Sequence, residues 1–150
     1  MRNFFIVGLL SLSLSLSTLM ITGCEQAKVK ITSVEMVSAE TGSLDFRRMI
    51  KICFDKPLSG DYHHEIVLES KDGFTLKGES ILRAAVSDPD NPCILRNLNN
   101  YVNKNSPPRA RDLIDHYLMK GNVASAKVSI WGDESGAKGL KMDSKVFNNL

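Results

Sequence analysis

Motifs for catalysis, phosphate binding and metal coordination are scarce in this sequence of 150 residues. It has no Gly-rich phosphate loop, no dinucleotide-binding fingerprint and no G-x-S-x-G motif. Its three Cys and three His do not stand in pairs at zinc-ligand spacing. The 19 basic and 17 acidic residues nearly balance, so overall charge gives no reason to expect a nucleic-acid partner. The sequence therefore predicts a protein that is not an enzyme and needs no cofactor or metal.

The one long apolar run lies at the N-terminus. Arg2 is the only charged residue before Glu25, and residues 4–22 are mostly Leu, Ser, Phe and Ile. A short basic segment followed by an apolar run predicts a secretory signal peptide. The alternative is a membrane-spanning helix, for which the run is nearly long enough. Cleavage is favoured because Ser interrupts the run and because Gly23-Cys24 ends it where a stop-transfer signal would carry Lys or Arg.

The apolar run ends in Ile21-Thr22-Gly23-Cys24, which resembles the lipobox of bacterial lipoproteins. The resemblance implies that residues 1–23 are a signal peptide. It also implies that Cys24 takes a diacylglycerol on sulfur and, after cleavage, an acyl chain such as palmitate on its amine. Several acyl chains hold a protein on a membrane stably. Glu25, rather than Asp, further implies the outer membrane, with the protein facing the periplasm or the cell surface.

Two cysteines remain, Cys53 and Cys93. In an oxidising compartment such a pair predicts a disulfide, which would stabilise the fold by roughly 3–4 kcal/mol through loop closure. Two separate buried thiols are the alternative. Alternation over residues 46–54 places Phe46, Ile50, Ile52 and Phe54 on one face and Cys53 on the other, so we expect the disulfide to lie outside the main core.

After a lipidated tether at 24–27, residues 28–150 read as a single β-rich domain. Residues 28–37 alternate with a change of phase near Thr32, which predicts a β-bulge. Asp72-Gly73 stands between two alternating runs and predicts a hairpin. Short strands at this spacing predict a small β-sandwich, immunoglobulin-like or transthyretin-like.

A helical insertion is predicted near 95–120. Leu95, Leu98 and Tyr101 stand at helical spacing, and a second stripe of apolar residues runs from 107 to 120. Ser106 suits the N-cap of this second helix. Residues 132–145, rich in Gly, Lys and Asp, read as a polar tail, with a short element at 146–147.

The insertion also carries the segment favoured for partner binding. Amide side chains with an aromatic ring are typical of recognition loops, because the amides adapt while the ring gives rigid contact area. A plain surface loop has the same composition, and this alternative stays open. The candidate binding residues are Asn97, Asn99, Asn100, Tyr101 and Asn103.

Other polar groups that could bind a metal or take part in catalysis are predicted to be structural. His63 and Glu65 share a face of a strand, but two ligands do not make a metal site. Asp112 and His116 are four residues apart on a helix, as in many surface pairs. A basic cluster near the C-terminus could contact anionic head groups or cell-wall polymer, or be plainly solvated: Lys138, Lys141 and Lys145.

Three classes of function follow. The favoured hypothesis is a lipid-anchored envelope lipoprotein that acts as a protein-interaction module. It predicts one membrane contact, through the lipid on Cys24, and one protein partner in the envelope. The alternatives are a structural envelope protein without a dedicated ligand, and an enzyme acting on cell-wall or lipid material. The enzyme would require residues such as His63 and His116 to converge in the fold.

The lipobox predicts the outcome of replacing Cys24 by Ser. Only a thiol can form the thioether, so C24S should remain an uncleaved precursor without acyl chains. Intact mass and palmitate labelling measure both properties. The matched control, C53S with C93S, should still be processed and labelled. A C24S product of mature size would contradict the prediction.

Overall fold

The computed structural model describes residues 28–39, 47–82, 90–102, 106 and 109–150. The predicted signal peptide and tether (residues 1–27, with Cys24), Phe46 and Asn103 lie outside these ranges. The expectations about them therefore stay predictions.

The described residues form seven strands in two antiparallel sheets. A three-stranded sheet has the order β1-β2-β5, and a four-stranded sheet has the order β4-β3-β6-β7. One α-helix and one 3-10 turn lie between β5 and β6, so the prediction of a mainly β sandwich with a helical insertion is confirmed. The elements are β1 (Ile31–Ala39), β2 (Arg47–Phe54), β3 (Tyr62–Ser70), β4 (Thr75–Leu82), β5 (Cys93–Asn97), the 3-10 turn (Leu98–Tyr101), α1 (Ala110–Tyr117), β6 (Val123–Glu134) and β7 (Ala137–Asn148).

One hydrophobic core lies between the two sheets. Alternate residues of each strand point inward, as the period of two requires. On β3, for example, Tyr62, Ile66 and Leu68 are buried, whereas Glu65 and Glu69 stay partly or fully exposed. The largest fully buried side chains come from both sheets and from the helical insertion: Ile31, Ile50, Ile52, Ile94, Leu98, Ile114, Leu118 and Ile130.

The predicted bulge in β1 is confirmed. The register of β1 on β2 shifts between Ile31 and Ser33. Because of this extra residue, Ile31 before the bulge and Val34 and Met36 after it are all buried. The change of phase in the sequence therefore records a real change of register.

The predicted disulfide is also confirmed. Cys53 and Cys93 are directly paired across β2 and β5 and are bonded to each other. Both are partly buried, and they lie on the face opposite Ile52 and Ile94, which are in the core. The disulfide thus fastens the outer face of the three-stranded sheet, as expected from the alternation.

Two hairpins organise the four-stranded sheet, of which only one was predicted. The β3–β4 hairpin turns at Asp72-Gly73, where Gly73 has a φ of 81°. The expected polar tail at 132–145 is wrong, because β6 continues to Glu134 and pairs with β7 through a second hairpin. At its tip Ser135 and Gly136 have φ values of 54° and 85°, the positive values that two-residue hairpin turns favour.

The helical insertion starts later and is shorter than predicted. Leu95 belongs to β5, because residues 93–97 pair with β2 beside the disulfide. The α-helix begins at Ala110, not near Ser106, and its N-cap is Arg109 with a left-handed backbone and no side-chain cap. Its apolar stripe is confirmed, since Ile114 and Leu118 are fully buried.

Side chains from β7 hold the start of β1 at one open side of the sandwich. Asp143 Oδ2 accepts a hydrogen bond from Ile31 N at 2.8 Å, and Lys145 Nζ donates to Ile31 O. At the other side, Arg96 on β5 donates to the carbonyl of Ile81 on β4 at 3.1 Å. Polar side chains therefore tie the two sheets together where their backbones do not pair.

Replacing Asp143 by Ala should weaken this inter-sheet contact. The variant leaves Ile31 N without its charged acceptor, so we expect the free energy of unfolding to fall by about 2 kcal/mol. D143N keeps an acceptor oxygen and should lose less. Urea denaturation measures the difference. The exposed Lys127→Ala serves as the control and should change stability by less than about 0.5 kcal/mol. Equal stabilities for D143A and the control would contradict the contact.

Candidate functional site

The predicted binding segment folds as a short rigid turn. Asn97 precedes the 3-10 turn, and its Oδ1 accepts from Asn99 N at 3.0 Å. This contact satisfies a backbone N–H that the turn would leave unpaired. Leu98 is fully buried, whereas Asn100 is exposed. The amides are thus presented from a fixed backbone.

Tyr101 anchors this segment and is not an exposed contact residue. Only 6% of it is accessible. Its ring lies on Gly78 of β4 so closely that a Cβ at Gly78 would stand 2.2 Å from Tyr101 Cδ1. The hydroxyl shares a hydrogen bond of 2.7 Å with His64 Nε2 on β3. The Tyr101 ring therefore has a structural role, while partner binding by Asn97, Asn99, Asn100 and Tyr101 stays a prediction.

The environment of this buried pair fixes its protonation. Burial, followed by the nearby Arg96 charge, lowers the pKa of His64 to about 4. Burial likewise raises the pKa of Tyr101 far above its usual range. At neutral pH both groups are uncharged, which suits a hydrogen bond within a low-dielectric core.

A polar cleft lies beside the turn, between it and β4. Its volume is about 400 Å³, and it is lined by Lys77, Gly78, Glu79, Asn100 and Tyr101. We call it the asparagine cleft. Asn99 Oδ1, close by in the chain, is enclosed and has no hydrogen-bond partner among the residues that the structure describes. The asparagine cleft thus offers amide, ammonium and carboxylate groups on a rigid frame.

A second surface lies on the outer face of the four-stranded sheet. Trp131 of β6 is in register with His63 on β3 and with Lys141 on β7. Lys141 Nζ lies 5.4 Å and Lys138 Nζ 4.6 Å from the centre of the Trp131 ring, within the range of cation–π attraction. We call Trp131, Lys138, Lys141 and the neighbouring exposed Leu140 the tryptophan patch.

A hydrogen bond and an ion pair hold the β6–β7 hairpin on this face. His63 Nε2 lies 2.7 Å from Asp133 Oδ1, and Lys138 Nζ donates to Glu79 Oε2 at 2.7 Å. The pKa of the Asp133 carboxyl is lowered, first by the Gly136 N–H and then by His63. A cleft of about 490 Å³ opens beneath the hairpin. The His63–Asp133 contact therefore helps to hold the β6–β7 hairpin against β3.

The other polar candidates do not converge. Glu65 pairs with Lys77 at 3.2 Å, not with His63, although the two residues share a face as predicted. Asp115, rather than Asp112, reaches the body of the domain, where it meets Arg48. Within the described part of the chain, no group of three or more His, Cys, Asp or Glu residues could hold a metal ion.

Sequence reasoning missed the tryptophan patch because it missed β7. A Ser-Gly dipeptide between two alternating runs is a recognised turn signal, and Ser135-Gly136 would have predicted the hairpin. With that hairpin in place, β7 runs back along β6, and the irregular register between Trp131 and Asp133 brings Lys141 opposite Trp131.

Comparisons with protein-family models, curated proteins and solved structures found no match for this chain. Among the helices of the described residues, none is long and apolar enough to cross a membrane.

The buried His64 predicts a pH dependence of stability. In the unfolded chain His64 binds a proton below its ordinary pKa of 6.5, but in the folded chain only below about 4. The contribution of His64 to the free energy of unfolding is therefore complete above pH 6.5. It falls by about 3 kcal/mol as the pH drops toward 4. Urea unfolding of the wild type and H64Q between pH 4 and 7 measures the difference in slope.

The control for this experiment is H116Q, which removes an exposed histidine from α1. It should keep the slope of the wild type, whereas H64Q should show a flatter curve in this pH window. Parallel curves for all three proteins would show that His64 does not titrate differently on unfolding.

Proposed function

We propose that this protein is a lipid-anchored lipoprotein of the bacterial envelope that binds a protein partner through the asparagine cleft. The lipobox at Ile21–Cys24 supports the anchor, and Glu25 supports the outer membrane as its location. The single observation that carries the partner site is the rigid mounting of the exposed Asn100 beside a polar cleft.

The fixed backbone of the turn that carries Asn100 is the physical reason to expect binding at the asparagine cleft. A partner that binds a fixed backbone does not have to order it first, so less of the contact energy is lost to entropy. The Asn97 cap and the buried Tyr101 hold the turn at both of its ends. The same interactions leave Asn100 pointing to solvent, although folding alone does not require an amide there.

The polar lining indicates the kind of partner. Lys77 and Glu79 provide one charge of each sign, and Asn100 both donates and accepts hydrogen bonds. Such a lining suits the polar rim of a protein surface better than an apolar small molecule. This favours an interaction module over an enzyme for the asparagine cleft.

The proposal predicts site-specific crosslinking in cells. A photo-reactive amino acid at position 100 should give a discrete crosslinked product, because Asn100 would contact the partner directly. The same amino acid at Lys127, exposed on the outer face of β6, should not give that product. Immunoblotting and mass spectrometry of the products measure both results.

Three further variants sharpen this test. K77E reverses a charge in the asparagine cleft and should reduce the position-100 product at least severalfold, while K120E, near the end of α1, should leave it unchanged. C24S should also reduce it by misplacing the protein. If positions 100 and 127 capture the same abundant envelope proteins, the structural alternative without a dedicated partner is supported instead.

A further inference from the structure

The point where the chain leaves the anchor determines which end of the domain can face the membrane. The described chain begins at Lys28, four positions after Cys24. A fully extended chain spans about 3.5 Å per residue, so Lys28 can stand no more than about 14 Å from the lipidated residue. The surface around Lys28 is therefore held close to the bilayer, provided that the lipid anchor proposed above is present.

The tryptophan patch lies at this same end of the domain. Ile31, three residues after Lys28, is bonded through its backbone N–H to Asp143 of β7. Lys141 is two residues from Asp143 on β7 and in register with Trp131. Two residues of a strand span about 7 Å, so Trp131, on the outer face of its sheet, lies at the same end of the domain as the start of β1.

The helix α1 lies at the opposite end. Phe74, beside the β3–β4 turn, stacks on Tyr117 of α1 with ring centres 5.3 Å apart. Arg48 of β2, which pairs with Ser38 far along β1 from Ile31, donates to the carbonyl of Asp115. A nine-residue strand is about 30 Å long, so this far end cannot reach the membrane together with the tether end.

The side chains at the tether end suit a lipid surface. Leu140 of β7 is 71% exposed, and Trp131 of β6 is partly exposed. Tryptophan is enriched where proteins meet the head-group region of membranes. Lysines with apolar stems attract anionic head groups and cover apolar surface at the same time. The exposed lysines at this end of the domain include Lys28, Lys30 and Lys141.

We propose that the tryptophan patch, together with Lys28 and Lys30, rests on an anionic lipid surface as a second membrane contact beside the lipid anchor. The inference depends on the proposed anchor, which brings this end to the bilayer. It fixes the orientation of the domain, because a single point of attachment would otherwise let the domain rotate. The asparagine cleft borders the tryptophan patch, because Glu79 of the cleft pairs with Lys138 of the patch, and its other side is formed by Asn100 and Tyr101.

The single tryptophan of the chain makes the contact directly measurable. The full, lipidated protein is purified in detergent and reconstituted into vesicles of phosphatidylcholine, with or without phosphatidylglycerol. Some vesicles also contain a lipid with a nitroxide on its head group, which quenches nearby tryptophan. We expect quenching of Trp131 to be at least twofold stronger in the vesicles that contain phosphatidylglycerol.

Charge variants test the role of the lysines. The triple variant K28Q/K30Q/K141Q should lose most of the difference between anionic and neutral vesicles. The matched variant R111Q/K120Q/K127Q removes three exposed basic residues from α1, the turn after it and the mid-strand of β6, and should retain the difference. The wild-type comparison needs no variant, so a folding defect in either variant does not weaken the test.

Flotation of the vesicles separates the possible failures. If the protein floats with both kinds of vesicle but Trp131 is quenched equally weakly in them, the second membrane contact is wrong and the anchor stands. If the protein does not float, the anchor is absent and both proposals fail. If Trp131 emission responds to anionic cell-wall polymer and not to lipid, the tryptophan patch binds the wall, which also overturns the inference.

Discussion

The contact of Tyr101 with Gly78 and His64 is the constraint on which the candidate site depends. Because Gly78 has no side chain, the Tyr101 ring can lie directly on β4, at the side of the sandwich that the narrower sheet leaves open. The hydrogen bond to His64 satisfies the Tyr101 hydroxyl where it is buried. One aromatic residue therefore closes the core and fixes the turn that carries Asn100. A larger residue at Gly78 would displace the turn and the asparagine cleft together.

At the opposite side of the sandwich, charged side chains rather than an aromatic ring join the two sheets. Asp143 and Lys145 on β7 bind the backbone of Ile31, so the start of β1 is fastened to the wider sheet. This contact places Lys141 of β7, and with it Trp131, at the same end of the domain as the start of β1. The asparagine cleft borders the tryptophan patch, because Glu79 pairs with Lys138. The two contacts proposed above, with lipid and with a protein partner, would thus use different elements of one small fold.

The parts of the fold that could be predicted from the sequence are those with a local signal. The alternation around Thr32 predicted the bulge, and Asp72-Gly73 predicted a hairpin, because strand period and turn chemistry are properties of neighbouring residues. Strand β7 was missed for the opposite reason. Its inward positions include Asp143 and Lys145, whose polar side chains bind Ile31 and hide the apolar alternation. The role of Tyr101 depends on Gly78, 23 positions away, so no local pattern could separate a buried anchor from an exposed contact.

Lysine modification in intact envelopes tests both proposed contacts, with lipid and with a protein partner, in one experiment. The reactivity of each lysine toward a small acylating reagent is measured by mass spectrometry, in the envelope and in the purified protein in detergent. We expect lipid to protect Lys141 in the envelope and a partner to protect Lys77, whereas the exposed Lys127 should react equally in both preparations. Equal reactivity of all three lysines in both preparations would contradict this expectation, since neither surface would then be covered.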